Sequence, residues 1–117
     1  MGDDGIIVIS TDNGSSWDNA TSRTSKNLSG VTFGNNTFVA VGESGNIVRS
    51  TDNGTNWDNA TTDNSTANYL TGVTFGNNTF LAVGNAGNIV SSSDNGASFD
   101  NETSPTSEHL WGVVFEE

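Results

Sequence analysis

The chain has 117 residues, no cysteine and a formal net charge of −11, which arises from 14 acidic and 3 strongly basic side chains. This length fits a single domain. The absence of cysteine excludes a disulfide framework and a thiolate metal site, and the acidity argues against nucleic acid and anionic membranes, which both need a basic surface. We therefore expect one domain with no cofactor and with neither nucleic acid nor a membrane as its partner.

The predicted elements are short apolar strands that alternate with turn residues. A first strand at Gly5–Ser10 precedes one that surrounds Trp17, and four more strands follow between residues 28 and 60. The same four strands recur from residue 70, and a final strand is predicted at Leu110–Phe115. Asn-Gly and Gly-Asn pairs between apolar runs are strong signals for hairpins, and helical periodicity is absent. The sequence therefore predicts an all-β protein.

The strands belong to a unit that repeats about every 41 residues. The phrase STDNGSSWDN begins at Ser10, STDNGTNWDN begins at Ser50, and SSDNGASFDN begins at Ser92. A second phrase, LSGVTFGNNTFVAVG, follows the same rhythm and returns almost unchanged from residue 70. Four antiparallel strands in a unit of this length are typical of a β-propeller blade, with a solenoid of the same period as the alternative.

The repeat divides the chain into about three blade equivalents. Residues 1–27 would supply the third and fourth strands of a split blade, and residues 110–117 would supply its first strand. Residues 28–69 and 70–109 would each form a full blade, whereas the second strand of the split blade has no counterpart. Because propellers contain roughly 4–8 blades, we expect a homodimer that closes a six-bladed ring. A higher oligomer, a rearranged blade and a truncated chain are the alternatives.

The repeated phrase resembles the Asp-box, S-x-D-x-G-x-x-W, of sialidase-type and related β-propellers with BNR repeats. The wider unit is similar to the blades of propellers of the photosystem II stability and assembly factor type. The residues that match the Asp-box are Asp12, Gly14, Trp17, Asp52, Gly54, Trp57, Asp94, Gly96 and Phe99. The resemblance implies that these three turns, here called the DNG turns, lie on the outer rim of the ring, away from its ligand face.

Each residue type in a DNG turn has a structural task. The carboxylate can accept backbone N–H groups within the turn, the glycine can supply a positive φ, and the aromatic ring can be buried between blades. Calcium binding is the functional alternative, but the D-x-D-x-D-G pattern of a calcium loop is absent. We therefore expect three structural turns and no metal site.

An enzymatic function is not expected. Sialidases hold their substrate with three arginines and use a Tyr–Glu pair, but this chain offers only Arg23, Arg49 and Tyr69. A Ser-His-Asp arrangement would have to use His109, and no serine lies in a recognisable nucleophile motif. The basic patch of the photosystem factors also has no counterpart in a chain with three strong cations.

Two non-catalytic functions remain. In propellers, the loops between strands two and three share a face with the loops between blades, and such loops carry ligands. Candidate residues for binding a glycan or a protein on this face are Arg23, Lys26, Glu43, Tyr69, His109 and Trp111. Trp111 also replaces Ser29 and Thr71 of the repeat, so packing is its alternative role. The near-identity of the units favours the other function, an engineered or fragment-amplified self-assembling scaffold without an evolved ligand.

Overall fold

The computed structural model describes residues 1–62 and 68–116. The strands of these residues are β1 (Ile7–Ile9), β2 (Asp18–Ala20), β3 (Leu28–Gly34), β4 (Thr37–Gly42), β5 (Ile47–Ser50), β6 (Asp58–Asn59), β7 (Thr61–Thr62), β8 (Leu70–Gly76), β9 (Thr79–Gly84), β10 (Ile89–Ser92) and β11 (Ser98–Asn101). Within the described residues, no helix is long and apolar enough to cross a membrane. The predicted all-β character is confirmed.

The strands form three sheets. β1 and β2 pair as the N-terminal sheet, and the middle sheet has the antiparallel order β3-β4-β5-β6. The C-terminal sheet has the order β7-β11-β10-β9-β8 and repeats these pairings, with β7 added in parallel beside β11. Because β7 directly follows the middle sheet in sequence, it links two sheets. A parallel bridge between Thr21 and Asn56 links the N-terminal and middle sheets in the same way.

The sheets pack against one another through apolar faces. One core cluster joins the N-terminal and middle sheets, and its buried members are Ile7, Leu28, Ala40, Val48 and Trp57. A second cluster joins the middle and C-terminal sheets, and its buried members are Val39, Val41, Ile47, Leu70, Phe80, Ala82, Val90 and Phe99. Successive side chains of a strand point to opposite faces, so β4 contributes to both clusters. Its nearly continuous apolar sequence follows from this position between two covered faces.

Each DNG turn is closed by a serine hydroxyl and an aspartate carboxylate. In the second turn, the Gly54 amide donates to Ser50 Oγ at 2.9 Å, and the Ser50 hydroxyl donates to Asp52 Oδ1 at 2.8 Å. The backbone amide of Asn56 donates to Asp52 Oδ1 at 2.9 Å, and this hydrogen bond is the main cause that lowers the pKa of Asp52. Gly54 has a φ of 88°, in the left-handed region that glycine adopts without strain. Trp57 Nε1 donates to Gly54 O at 2.9 Å, so the turn also holds the indole ring.

The first and third DNG turns have corresponding hydrogen bonds. The Ser16 amide donates to Asp12 Oδ1 and the Ser98 amide donates to Asp94 Oδ1, each at 2.9 Å. Hydrogen bonds to a charged carboxylate favour its ionised form. The Ser16 hydroxyl, then the Ser16 amide, lowers the pKa of Asp12 from 3.8 to about 2. The hydroxyl and amide of Ser98 lower the pKa of Asp94 to about 2 in the same way.

The strands predicted around the first two aromatic residues begin later than the sequence suggests. They start at Asp18 and Asp58, directly after Trp17 and Trp57. Both indole rings fold back so that Nε1 donates to the glycine carbonyl of the turn, which keeps the tryptophans within the turn. The first predicted strand, Gly5–Ser10, is likewise shortened, because Gly5 belongs to the preceding turn.

The aromatic rings of the three DNG turns differ in burial. Trp57 and Phe99 are 2% and 1% exposed, whereas Trp17 is 59% exposed. In the middle sheet, the ring of Phe38 in the second strand lies 6.1 Å from the Trp57 ring, centroid to centroid. The described part of the N-terminal sheet contains only β1 and β2, so Trp17 lacks the contact that a second strand would make.

The predicted final strand, Leu110–Phe115, does not form a hydrogen-bonded strand. A first strand of the repeat pairs with a second strand, and no described strand pairs with this segment. The segment nevertheless lies against β8, since a Cβ added to Gly76 would come within 2.3 Å of the Phe115 ring. β8 approaches β3 in the same manner, because a Cβ added to Gly34 would lie 2.0 Å from the Phe75 ring.

The lowered pKa values of the DNG turns predict a loss of stability in acid. A carboxyl whose folded pKa is about 2 and whose ordinary pKa is 3.8 stabilises the fold fully above pH 4. That contribution is lost as the pH falls from about 4 to about 2. We therefore expect the Tm of the wild-type chain to decrease over this interval in a circular dichroism melt.

The variant Asp94→Asn tests the cause of this acid sensitivity. We expect it to have a lower Tm than the wild type at pH 6 and a smaller decrease below pH 4. Asp100→Asn is the matched control, because it removes an exposed carboxylate outside the turn. Equal pH profiles for the two variants would contradict the role assigned to the turn carboxylates.

Candidate functional site

One end of the stacked sheets, here called the loop face, carries three turns of the same shape. These turns are Asp3–Gly5, Glu43–Gly45 and Asn85–Gly87. Their central residues have φ values between 55° and 60°, in the left-handed region. The Glu43 amide donates to Asn27 O and the Asn85 amide donates to Tyr69 O, each at 2.9 Å. Backbone hydrogen bonds therefore tie the second and third turns to the segment that leads into the first strand of their own sheet.

Two loops, at residues 21–27 and 102–109, are ordered by their own side chains. Ser22 Oγ donates to Thr24 O at 3.1 Å, and Ser104 Oγ donates to Thr106 O at the same distance. The first of these loops packs tightly over Gly5, where an added Cβ would lie 2.0 Å from Thr24 O. The loop face is therefore a packed surface in these parts.

His109 makes a structural contact on the loop face. Its Nδ1 accepts a hydrogen bond from the Ala86 amide at 3.0 Å. Asn27 makes the equivalent contact near the N-terminus, where its Oδ1 accepts the Asp4 amide at 2.9 Å. Tyr69 stands at the corresponding position of the intervening repeat unit. The His109 imidazole thus accepts the same kind of backbone hydrogen bond as the side-chain oxygen of Asn27. This contact favours a positioning role for His109 over a catalytic one.

A shallow cavity of about 410 Å³ opens on the loop face. Its lining residues are Ser29, Tyr69, Thr71, Asn85 and Trp111. Ser29 and Thr71 lie at register shifts in β3 and β8, and their hydroxyls donate to Leu70 O and Leu110 O of the following segment. Trp111 stands at the third equivalent position and is 73% exposed. The cavity therefore forms where the repeat places a large ring after two small hydroxyl residues.

The chemistry of this cavity suits stacking and hydrogen bonding. Tyr69 and Trp111 offer aromatic faces, and the Asn85 amide and two hydroxyl residues offer polar groups. The His109 ring lies 6.0 Å from the Trp111 ring in an edge-on arrangement. No carboxylate, lysine or arginine is among the described residues that line the cavity. The described chain also contains no group of His, Asp and Glu side chains placed to hold a metal ion.

The other candidate residues from the sequence lie outside this cavity. Arg23 Nε is 3.4 Å from Asp58 Oδ1, and both side chains are largely exposed. Glu43 Oε2 accepts the Asn27 amide at 3.4 Å, so this carboxylate helps to order the loop. Lys26 is exposed, and its backbone amide is bound within its own loop. The structure thus brings together the three aromatic candidates, whereas none of the three charged ones lines the cavity between Tyr69 and Trp111.

A second cavity, of about 270 Å³, lies between the N-terminal and middle sheets and is here called the β1 groove. Ile7 and Ile9 of β1, Phe38 and Ala40 of β4, and the ring of Trp17 form much of its wall. The sequence-based candidates did not include this site. The signal that could have found it was the comparison of repeat units, because the second strand of the unit has no counterpart beside β1 among the described residues.

These stacked sheets, with one DNG turn in each, define a β-propeller domain. The chain belongs to the family described as the DUF6242 beta propeller domain, whose model matches residues 2–110. No curated protein matches the sequence.

Among solved structures, the chain is similar to the one described as YCF48 bound to D1 peptide. The TM-score is 0.74 and the sequence identity is 21%, with 92% of this chain and 38% of that chain covered. The chain therefore spans 38% of the length of that protein. Because YCF48 is a photosystem II assembly factor with a propeller, the predicted resemblance to propellers of that type is confirmed for the fold.

Proposed function

We propose that this chain is a non-catalytic β-propeller scaffold that associates with a second copy of itself. Each chain would supply about three blade equivalents closed by Asp-box turns, and two chains would complete a six-bladed ring. The observation that carries the proposal is the exposure of Trp17, whose two counterparts in the repeat are buried. A non-catalytic role is supported by the two described cavities, which are lined by no carboxylate, histidine, lysine or arginine side chain.

Both outer faces of the stack are less buried than the inner faces that correspond to them. Val39 and Ile47 are 0% and 1% exposed where the middle sheet meets the C-terminal sheet. Their counterparts on the outer face of the C-terminal sheet, Leu81 and Ile89, are half-buried. Trp17 marks the outer face of the N-terminal sheet. In a dimer, the outer face of the C-terminal sheet of one copy could pack on the outer face of the N-terminal sheet of the other. This contact would resemble the packing of neighbouring sheets within one chain.

The link at the outer edge of the sheets could also repeat between two copies. Within the chain, Thr61–Thr62 pairs in parallel with Ser98–Phe99. In the repeat, residues 103–104 correspond to Thr61–Thr62, and residues 16–17 correspond to Ser98–Phe99. Between two copies, residues 103–104 of one could therefore pair with residues 16–17 of the other. The same pairing between copies would bring the outer face of the C-terminal sheet, with Leu81 and Ile89, towards the Trp17 ring, and the burial of this apolar surface favours association.

Two substitutions test the self-association. We expect the wild-type chain to have twice the 12.2 kDa mass of one chain in light scattering after size exclusion. Trp17→Ser and Leu81→Ser each remove apolar surface from one of the two outer faces. Each should weaken the dimer about tenfold or more, since a buried large side chain contributes about 1.5–3 kcal/mol.

Ile6→Asn is the matched control for these variants. Ile6 is 56% exposed but lies outside the β1 groove, and its counterparts in the repeat, Asn46 and Asn88, are already asparagine. The control should keep the mass of the dimer. A folded wild-type monomer at high protein concentration would contradict the proposal, and so would equal effects of Ile6→Asn and Trp17→Ser.

A second candidate function is the binding of a polypeptide or a glycan on the loop face. The cavity between Tyr69 and Trp111 favours it, because aromatic faces beside amide and hydroxyl groups suit both ligands. The similar structure of YCF48 contains a bound peptide, which favours a polypeptide for this chain. The positioning contact of His109 would then hold one edge of the site in place.

The loop-face site is tested with an array of oligosaccharides and a library of synthetic peptides. Trp111→Ser restores the small hydroxyl residue of the repeat and should reduce binding about tenfold, as the loss of a stacking ring. Lys26→Ser is the control, because its side chain is exposed on the same face outside the cavity. Binding that survives Trp111→Ser, or the absence of binding to both collections, would contradict this candidate.

A further inference from the structure

The cavity of about 410 Å³ on the loop face, here called the loop-face cavity, has two aromatic rings in its wall. Trp111 is 73% exposed and Tyr69 is half-buried, so a ligand can reach both rings. The face of an aromatic ring carries partial negative charge and attracts a cation. Tryptophan attracts a cation most strongly, and here it is the more exposed of the two rings. The aromatic wall therefore favours a positively charged group.

The two hydroxyl groups of the loop-face cavity are left as hydrogen-bond acceptors. Ser29 Oγ donates to Leu70 O at 2.6 Å, and Thr71 Oγ1 donates to Leu110 O at 2.5 Å. A hydroxyl has one proton and two lone pairs, so these bonds use its donor and leave its oxygen able to accept. Because both residues line the cavity, their oxygen atoms favour a ligand that carries N–H groups.

Asn85 adds a third side-chain oxygen to the wall of the loop-face cavity. Its counterparts in the other two turns of the loop face are the acidic residues Asp3 and Glu43. The side-chain oxygen of asparagine accepts hydrogen bonds, as the oxygens of a carboxylate do. The wall thus combines two aromatic faces with three oxygen acceptors, and no cation is among the described residues that line it.

The charge on the loop face is mainly negative. Its turns and loops contain four described carboxylates, which belong to Asp3, Asp4, Glu43 and Glu108. Lys26 is exposed on the same face, whereas the Arg23 guanidinium is 3.4 Å from Asp58 and is therefore ion-paired. The whole chain has a net charge of −11. Such a surface attracts cations over about 8 Å at physiological salt.

The guanidinium group of arginine matches these features best. It is planar, so it can stack on an indole ring while its edge donates N–H groups to oxygen atoms. It has five donors and no acceptor, which suits a wall whose hydroxyl oxygens accept. A lysine ammonium carries the same charge but is a compact, strongly hydrated group that does not stack. A sugar would need donors for its hydroxyl oxygens, and the hydroxyl protons of Ser29 and Thr71 are already used.

His109 holds the main stacking ring in place. The His109 and Trp111 rings lie 6.0 Å apart in an edge-on arrangement. The Ala86 amide donates to Nδ1 of His109, so the imidazole is itself fixed by the turn that contains Asn85. A ring that is already ordered loses less conformational freedom when a ligand binds.

We propose that the loop-face cavity binds the guanidinium group of an arginine side chain in a polypeptide partner. The group stacks on Trp111 and donates to the oxygen atoms of Ser29, Thr71 and Asn85. This site is the one assigned to the second candidate function, so the inference rests on that function and names its ligand. Further basic residues of the partner would meet the acidic loop face, which speeds association.

Two blocked peptides that differ in one group test this proposal. Acetyl-Gly-Gly-Arg-Gly-Gly-amide has the guanidinium as its only charge, and its citrulline analogue replaces that group with a neutral urea of similar shape. Binding is followed by nuclear magnetic resonance at the Trp111 indole N–H and at the backbone amides of Thr71 and Asn85. We expect saturable shifts with the arginine peptide. The citrulline peptide should bind at least about threefold more weakly, because it lacks the cation.

Two variants locate the peptide in the loop-face cavity. Asn85→Asp places a carboxylate beside the guanidinium and should strengthen binding of the arginine peptide about threefold or more, a gain that misfolding would not produce. Ser44→Asp is the matched control, because it adds the same charge to the loop face outside the cavity, where Asp4 is already its counterpart. Trp111→Ser should remove the preference for arginine over citrulline.

Equal binding of the two peptides by the wild type would overturn the proposal, and so would the absence of binding to both. Equal gains from Asn85→Asp and Ser44→Asp would overturn the assignment to the cavity. The second candidate function fails separately, when neither an oligosaccharide nor a library peptide binds in a way that depends on Trp111. An oligosaccharide that does so, without binding of the arginine peptide, would keep that function and overturn the arginine site alone.

Discussion

The central constraint on this structure is that a sheet with two apolar faces needs a neighbour on each side. The middle sheet satisfies it: Val39 and Val41 face one neighbour, Ala40 faces the other, and all three are at most 1% exposed. The N-terminal and C-terminal sheets each have one such neighbour within the described chain. The exposed Trp17 and the half-buried Leu81 lie on the two faces that have no such neighbour. The β1 groove has a different origin, since the described part of the N-terminal sheet has no second strand beside β1. Association of two copies is one way in which the two outer faces can be covered.

The DNG turns are local structures whose stability depends on that packing. Each turn makes its own hydrogen bonds, so all three have the same geometry irrespective of their surroundings. The surroundings decide whether those bonds are shielded from water. Ser50 and Ser92 are 1% and 2% exposed, whereas Ser10 in the incomplete sheet is more accessible. The turns therefore mark the sheets of the propeller, and the loop face at one end of those sheets carries the candidate ligand cavity.

Much of the fold could be predicted from the sequence because its signals are local. Asn-Gly and Gly-Asn pairs locate the hairpins, and the aspartate and glycine of each DNG turn bond within a few residues of one another. The final strand at Leu110–Phe115 could not be predicted in the same way, because a strand needs a partner that local sequence does not supply. The loop-face cavity depends on the register shifts at Ser29 and Thr71, which pattern alone does not reveal. The β1 groove depends on how the N-terminal and middle sheets pack, which pattern alone does not reveal either.

Hydrogen exchange of three equivalent glycine amides tests the central claim most directly. Gly14, Gly54 and Gly96 each donate to the serine of their own DNG turn at 2.8–2.9 Å, so their local bonds are alike. Only Gly54 and Gly96 are buried against a neighbouring sheet. In dilute, monomeric chain we expect the Gly54 and Gly96 amides to exchange about tenfold more slowly than the Gly14 amide, or slower still. Equal protection of all three amides would show that the turns are stable without neighbouring sheets and would contradict the account.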